Sequence, residues 1–345
     1  MSDSDQRAAD PRLEGRGDPD ARHGFACRIC GNDTGNERLL VREMMLGLRE
    51  AFPYYACAEC GTIQVENAPE DVGKYYPDGY YSKSTENQHA VVRLLKRIRA
   101  RETLDQPSLI GKALVRVAGP APIATWMKQA GAHLADRILD VGSGTGQNLL
   151  ELANIGFRHL HGVDPYIDED VNLDSDIRIR KATIHDVDGE YDLIMLHHVL
   201  EHVADPDRDL SAARNRLSAD GKILIRTPVA DCFVYRNYAS DWVQLDAPRH
   251  THVFSAKAIG LLANRNGMRV ESVRYDSDAF QFWGSEQYRM DISLSDSRSH
   301  QNSGRHGLFT RAQMKAWSRQ AATLNLAYDG DQACFVLSQS KDATA

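Results

Sequence analysis

Four cysteines set the first chemical constraint. Cys27-Arg28-Ile29-Cys30-Gly31 and Cys57-Ala58-Glu59-Cys60-Gly61 are two CxxC knuckles, each closed by a glycine. A two-residue gap lets neighbouring thiolates converge on one tetrahedral ion, so Cys27, Cys30, Cys57 and Cys60 are expected to hold a structural Zn2+. All four positions are filled by protein, which leaves the metal no open site for catalysis. Disulfides would need an oxidising compartment that nothing else in the sequence indicates. Cys232 and Cys334 lie far away and are expected to be buried thiols.

A second set of residues could move protons. His197, His198, Glu201 and His202 fall within six positions, and the stretch Trp242–Ser255 carries Asp246, Arg249, His250 and His252. An imidazole titrates near working pH and suits a general base when a neighbouring carboxylate orients its ring. His198 and His250 are the candidates for the base, with Glu201 and Asp246 as the orienting carboxylates. His198 and His202 also have the i,i+4 spacing of helical metal ligands, but HxxEH is not the HExxH order of a zinc hydrolase.

The third constellation could bind a nucleoside. The apolar run Ile138-Leu139-Asp140-Val141 stops at Gly142-Ser143-Gly144-Thr145-Gly146, and Leu149, Leu150, Leu152 and Ala153 follow at helical spacing. This reads as a buried strand, a tight turn and the helix of a βαβ unit. Glycines there allow close approach of a ligand, and the helix start offers free N–H groups. The spacing is GxGxG, not the GxGxxG of dinucleotide enzymes. The next strand ends at Asp164, 22 residues beyond Gly142, where a carboxylate can accept hydrogen bonds from both hydroxyls of a ribose.

Together with the later segments YDLIMLHHVLEHVADP and DGKILIRTP, this succession resembles the class I S-adenosylmethionine-dependent methyltransferases over about residues 120–275. The resemblance implies an α/β fold with a seven-stranded, mostly parallel Rossmann-like sheet, and S-adenosylmethionine as methyl donor. It implies that Asp140, Gly142, Gly144 and Gly146 face the methionine end and Asp164 the ribose. Asp186, after the third strand, would meet the adenine, and His197 would line the cofactor cleft. In many members the segment after the fourth strand is a metal-free pocket wall. Trp242–Ser255 resembles the acceptor-side loop of zinc-ribbon members linked to bacterial glycan and secondary-metabolite pathways. The expected acceptor is therefore a small molecule or a nucleotide- or lipid-linked sugar, methylated on a hydroxyl. A cofactor-binding scaffold without turnover and a zinc-ribbon RNA methyltransferase stay open as alternatives.

These residues need elements to hold them. Residues 1–23 lack large apolar side chains and read as a disordered tail. A zinc-ribbon domain follows over 24–90, with a hairpin through 38–55, then a helical linker over 91–131. The methyltransferase domain spans 132–345 and carries an insertion at about 280–328. Tyr75-Tyr76-Pro77-Asp78-Gly79-Tyr80-Tyr81 is a turn whose rings either pack the ribbon on the next domain or line the acceptor pocket. Residues 91–101 form a basic amphipathic helix, either a bridge with a solvated face or a patch meeting phosphate groups of a nucleotide- or lipid-linked acceptor, and the same helix could make peripheral contact with a membrane. Expected strands are 177–184, 193–196, 222–225, 269–275 and an antiparallel 334–338. The polar stretch 294–307 reads as a loop or lid.

Composition bounds the rest. Of 345 residues, 42% are hydrophobic and 26% charged, ordinary for a globular chain, and the net charge of −7 argues against a broad nucleic-acid surface. No apolar run is long enough for a membrane span, and no signal peptide is legible. A cytoplasmic enzyme is expected.

Overall fold

The apolar run before the glycine turn becomes a central strand because every one of its side chains after Arg137 is buried, as parallel strands covered on both faces require. The computed structural model describes residues 25–76, 90–174, 177–303 and 307–340. The expected tail at 1–23 and Tyr80 and Tyr81 lie outside them.

In chain order the strands are β1 (Glu37–Arg42), β2 (Ala51–Ala56), β3 (Ile63–Val65), β4 (Arg137–Val141), β5 (His159–Val163) and β6 (Val171–Asp174). They continue as β7 (Ile177–Arg180), β8 (Tyr191–His197), β9 (Leu217–Pro228), β10 (His252–Val253), β11 (Met268–Tyr275) and β12 (Gln332–Gln339). The helices are α1 (Ala90–Thr103), α2 (Leu109–Ala118), α3 (Pro122–Ala130), α4 (Gln147–Ile155) and α5 (Pro206–Arg214). After them come α6 (Phe233–Tyr238), α7 (Ala256–Arg265), α8 (Phe280–Arg289) and α9 (Arg311–Leu326).

The main sheet has the order β11-β12-β9-β8-β4-β5-β7-β6. The five strands from β9 to β7 are parallel, and β12 runs antiparallel to both β9 and β11. Alternation divides the core between the two faces. Ile138 joins Met127, Leu149 and Leu152 on one side, while Leu139 and Val141 join Leu210, Ile259 and Leu262 on the other.

Two expectations are corrected here. The sheet has eight strands rather than seven, because Val171–Asp174 folds back antiparallel on β7 as an edge strand; Val171 and Leu173 pack on the core beside Ile177 and Ile179. The third strand also stops at Arg180, and Ile184–Asp186 is a 3-10 turn.

A second sheet, β1-β2-β3-β10, is antiparallel. Its first three strands come from the ribbon and its last from the loop after β9, with His252 opposite Gln64 and Val253 opposite Ile63. Ribbon and methyltransferase segments thus share one sheet across the boundary expected near residue 90. The insertion is α8, a loop and α9, and its polar stretch is pinned to the ribbon hairpin: Leu294 and Ser295 donate to the carbonyls of Met44 and Met45 at 3.0 and 2.9 Å.

Candidate active site

The glycine turn sits at the C-terminal edge of β4. Gly142 N–H donates to the Val163 carbonyl at 2.8 Å, and Gly144 N–H to Asp164 Oδ2 at 2.9 Å. Asp164 is buried at the end of β5, and its Oδ1 accepts from Tyr166 N–H at 2.8 Å. Gly142, Gly144 and Gly146 all have positive φ (67°, 52° and 84°). A Cβ on Gly146 would collide with Ile179 and one on Gly142 with Val199, whereas a Cβ on Gly144 would meet open space. Two glycines are therefore set by packing, and Gly144 is the one that faces open space.

Asp140 supplies the strongest sign of a missing ligand. It is 1% exposed, neither carboxylate oxygen meets hydrogen-bond geometry, and the nearby Asn148 side chain offsets its burial only in part. Burial pushes its carboxyl up to about 7. Buried polar groups are nearly always paired, so an orphaned carboxylate beside a nucleoside-binding turn fits a cationic donor such as an amino-acid ammonium.

Val199, which meets Gly142, belongs to the loop after β8, so this loop lies against the turn. His198 holds the left-handed conformation (φ 54°). Its Nε2 accepts from Arg226 Nη1 at 2.7 Å, and its Nδ1 lies 2.9 Å from Glu201 Oε1. A guanidinium only donates, so the ring proton sits on Nδ1 and points to Glu201. Glu201 orients His198 as the sequence suggested, but both ring nitrogens are already engaged. The other oxygen of Glu201 accepts from Thr227 Oγ1 at 3.1 Å. Burial opposes ionisation of Glu201, yet the His198 hydrogen bond and the surrounding rings bring it down to about 2.

His250 offers a free nitrogen. Its Nδ1 lies 2.8 Å from the Gln244 carbonyl and must donate to it, which leaves Nε2 as the basic lone pair. Burial lowers this imidazole to about 4, so the ring is neutral at working pH. The His202 ring stands 4.6 Å away, its Nδ1 3.0 Å from the Arg249 carbonyl and 3.4 Å from Tyr76 Oη. Glu201, His202 and His250 have ligand atoms within 4.8 Å of one another. Glu201 also accepts from Thr227 and lies against His198, so it ties this trio to the loop after β8.

Other assignments change. Asp246 does not orient His250: it lies 3.8 Å from Nε2, the far nitrogen, and is clamped by Arg249 at 2.5 and 2.9 Å. Although burial raises the Asp246 carboxyl, the Arg249 charge outweighs it and holds it below its ordinary value. Arg249 is itself buried, bonded to Glu43 at 3.1 Å and the Tyr75 carbonyl at 2.6 Å. Tyr54 Oη donates to the His250 carbonyl at 2.8 Å. His252, fully buried in β10, pairs with Thr251 Oγ1 at 3.0 Å, while its Nε2 is buried without a partner. Asp186 is exposed, and its Oδ2 caps the 3-10 turn by accepting from Thr183 N and Oγ1 at 2.9 and 2.6 Å.

Sequence reading missed one network. Asp276, just after β11, accepts at 2.8 Å from both Arg226 Nε and Trp126 Nε1, and Arg226 lies over the Trp126 ring. His197 packs 4.7 Å from the same ring, and burial lowers its imidazole well below the ordinary value. An arginine ending a central strand was the signal that could have found it.

In the ribbon, Cys27 and Cys60 Sγ are 3.6 Å apart, Cys30 and Cys57 3.5 Å, and all four lie within 4.8 Å. A tetrahedral zinc with Zn–S of about 2.3 Å needs edges of roughly 3.8 Å, so the sulfurs fit the ion. Each knuckle closes by a glycine N–H to the first cysteine carbonyl, at 2.8 and 2.9 Å. None of the six cysteines forms a disulfide.

No curated relative matches this sequence. Among solved structures, the chain is similar to a mycolic acid cyclopropane synthase complexed with SAH, at 16% identity and TM-score 0.43, covering 74% of this chain and 100% of that one. It is also similar to the Burkholderia thailandensis 1,6-didemethyltoxoflavin-N1-methyltransferase, at 13% identity and TM-score 0.41, covering 84% and 100%. A family model described as a methyltransferase domain matches residues 84–273, more than half the chain. The chain therefore belongs to that family, and is an S-adenosylmethionine-dependent methyltransferase.

Proposed function

We propose that the acceptor is a small molecule or a nucleotide- or lipid-linked sugar, methylated on a hydroxyl as part of glycan-precursor chemistry. The observation that carries this reading is a buried neutral imidazole with a free Nε2, His250, in a loop cluster joined to the glycine turn through Val199. Bound S-adenosylmethionine supplies an electrophilic methyl on a sulfonium. Asp140 would take its ammonium, Gly142, Gly144 and Gly146 its methionine portion, and Asp164 its ribose hydroxyls. Asp186 and His197 remain proposed neighbours of the cofactor, Asp186 through the carboxylate oxygen that does not cap.

Displacement at a sulfonium needs the acceptor oxygen held in line, and a hydroxyl must also lose its proton. His250 Nε2 is the better base, because using His198 requires Arg226 to release it. The Gln244 carbonyl fixes the His250 ring, and Glu201 fixes His198. In this reading Cys27, Cys30, Cys57 and Cys60 hold a structural Zn2+ that shapes the acceptor side. The test is methyl transfer from labelled S-adenosylmethionine to a panel of nucleotide sugars, with binding followed by calorimetry. Label on an RNA substrate, or cofactor binding without turnover on any acceptor, would replace this reading.

A further inference from the structure

The helices before the methyltransferase sheet carry a surface outside the site described above. Among the described residues thirteen large apolar side chains are exposed, and seven of them lie in α1 and α2. Val91, Leu94 and Leu95 in α1 are 67%, 55% and 40% exposed; Leu109, Ile110 and Val117 in α2 are 87%, 58% and 88% exposed. Each set follows helical spacing, so each helix presents an apolar stripe. The stripes are not the faces the two helices bury. Ala100 and Gly111 are the buried positions, and Arg99 bonds the carbonyls of Ala118, Gly119 and Pro120 to close the hairpin.

Charge decides what fits there. Residues 90–118 hold seven cations and two acids in a chain of net charge −7. Both acids are occupied, Glu102 by Ser108 N–H at 2.7 Å and Asp105 by Lys128 at 2.6 Å. Arg93 and Lys96 stand in the same exposed turns of α1 as its apolar stripe, and Lys112 and Arg116 in α2, all four exposed. Exposed apolar side chains interleaved with cations match the interfacial zone of an anionic bilayer, where the first enter the acyl boundary and the second meet phosphate. An apolar partner protein would leave the cations without counter-charges, and a nucleic acid would leave the leucines and valines in water.

We propose that the α1–α2 hairpin docks this enzyme on an anionic lipid surface. The proposal holds whether or not the acceptor is itself lipid-linked. It is tested by sedimenting the full chain with vesicles of phosphatidylcholine alone or mixed with phosphatidylglycerol. One variant combines Leu94→Ser, Leu109→Ser and Val117→Ser; another combines Arg93→Glu, Lys96→Glu and Arg116→Glu. All six side chains are exposed, so both variants should keep the parent melting temperature and cofactor affinity. The parent chain is expected to bind the mixed vesicles only, more weakly as salt rises. The charge variant should lose on the order of a hundredfold in partition, and the serine variant should also detach. Failure of the parent chain to sediment, or undiminished binding by the charge variant, overturns the proposal. So does dimerisation or RNA binding through the hairpin without vesicle binding.

Discussion

The two halves of the site are built in different ways. The cofactor half comes from one short stretch, β4-turn-α4 and the end of β5, so its groups are local in sequence and held by backbone bonds such as Gly144 to Asp164. The proposed acceptor half is assembled from distant segments: the loop after β8, the loop after β9 and the ribbon. Its central guanidinium, Arg249, reaches Glu43 across 206 positions. A local site keeps its geometry when the rest of the fold is disturbed; an assembled one does not. Perturbing the ribbon should therefore damage acceptor chemistry far more than cofactor binding.

The largest expected effect is removal of the proposed zinc. Structural zinc contributes about 10–16 kcal/mol of apparent binding free energy in small ribbons. Chelation, or Cys60→Ser, should sharply lower the melting temperature and abolish turnover, with cofactor affinity falling much less. Parallel loss of both activities, or metal analysis finding no zinc, breaks the contrast.

Next is the base. His250→Ala should keep cofactor affinity by calorimetry yet lose about a hundredfold to ten-thousandfold in turnover. If His198→Ala shows that loss instead, Arg226 releases its partner during the reaction; normal turnover in both would mean that positioning alone suffices.

Arg249→Met tests the joint between the halves. Breaking a buried ion pair from one side typically costs about 3–5 kcal/mol, here leaving Glu43 and Asp246 without their cation. Chemical denaturation should show this cost, and double replacement with Glu43→Gln should recover part of it.

The smallest effect sharpens the cofactor half. Burial raises the Asp140 carboxyl to about 7, above its unfolded value. Its protonated form therefore stabilises the ligand-free fold at low pH, and that contribution is lost as pH rises through about 7. Asp140→Asn should flatten the pH dependence of stability above pH 4 and stabilise the ligand-free chain at pH 8, while weakening cofactor binding. An unchanged pH profile would show that Asp140 does not carry the orphaned charge.

What was legible in the sequence follows the same division. The glycine turn, Asp164 and the cysteine knuckles could be read because their chemistry is written in neighbouring residues. The extra strand β6 could not be, since four residues give too short an alternation to separate from loop. Nor could sequence show that Gln244, rather than Asp246, orients His250. That choice depends on the left-handed turn at Asp246 and on Arg249 claiming its carboxylate. Tyr75 resolves as packing, buried with its ring edge on Phe52, whereas Tyr76 reaches His202.

The two-residue strand β10 has a consequence for the history of this chain. A module that merely abuts its neighbour can be gained, lost or exchanged by recombination at the linker. Here the neighbour contributes the last strand of the module's own sheet, and a buried arginine three positions before that strand needs a carboxylate from the module. A foreign ribbon grafted at residue 90 would bring neither the register for His252 and Val253 nor the counter-ion for Arg249. The two parts are bound to be inherited together, and changes in one should be answered by changes in the other.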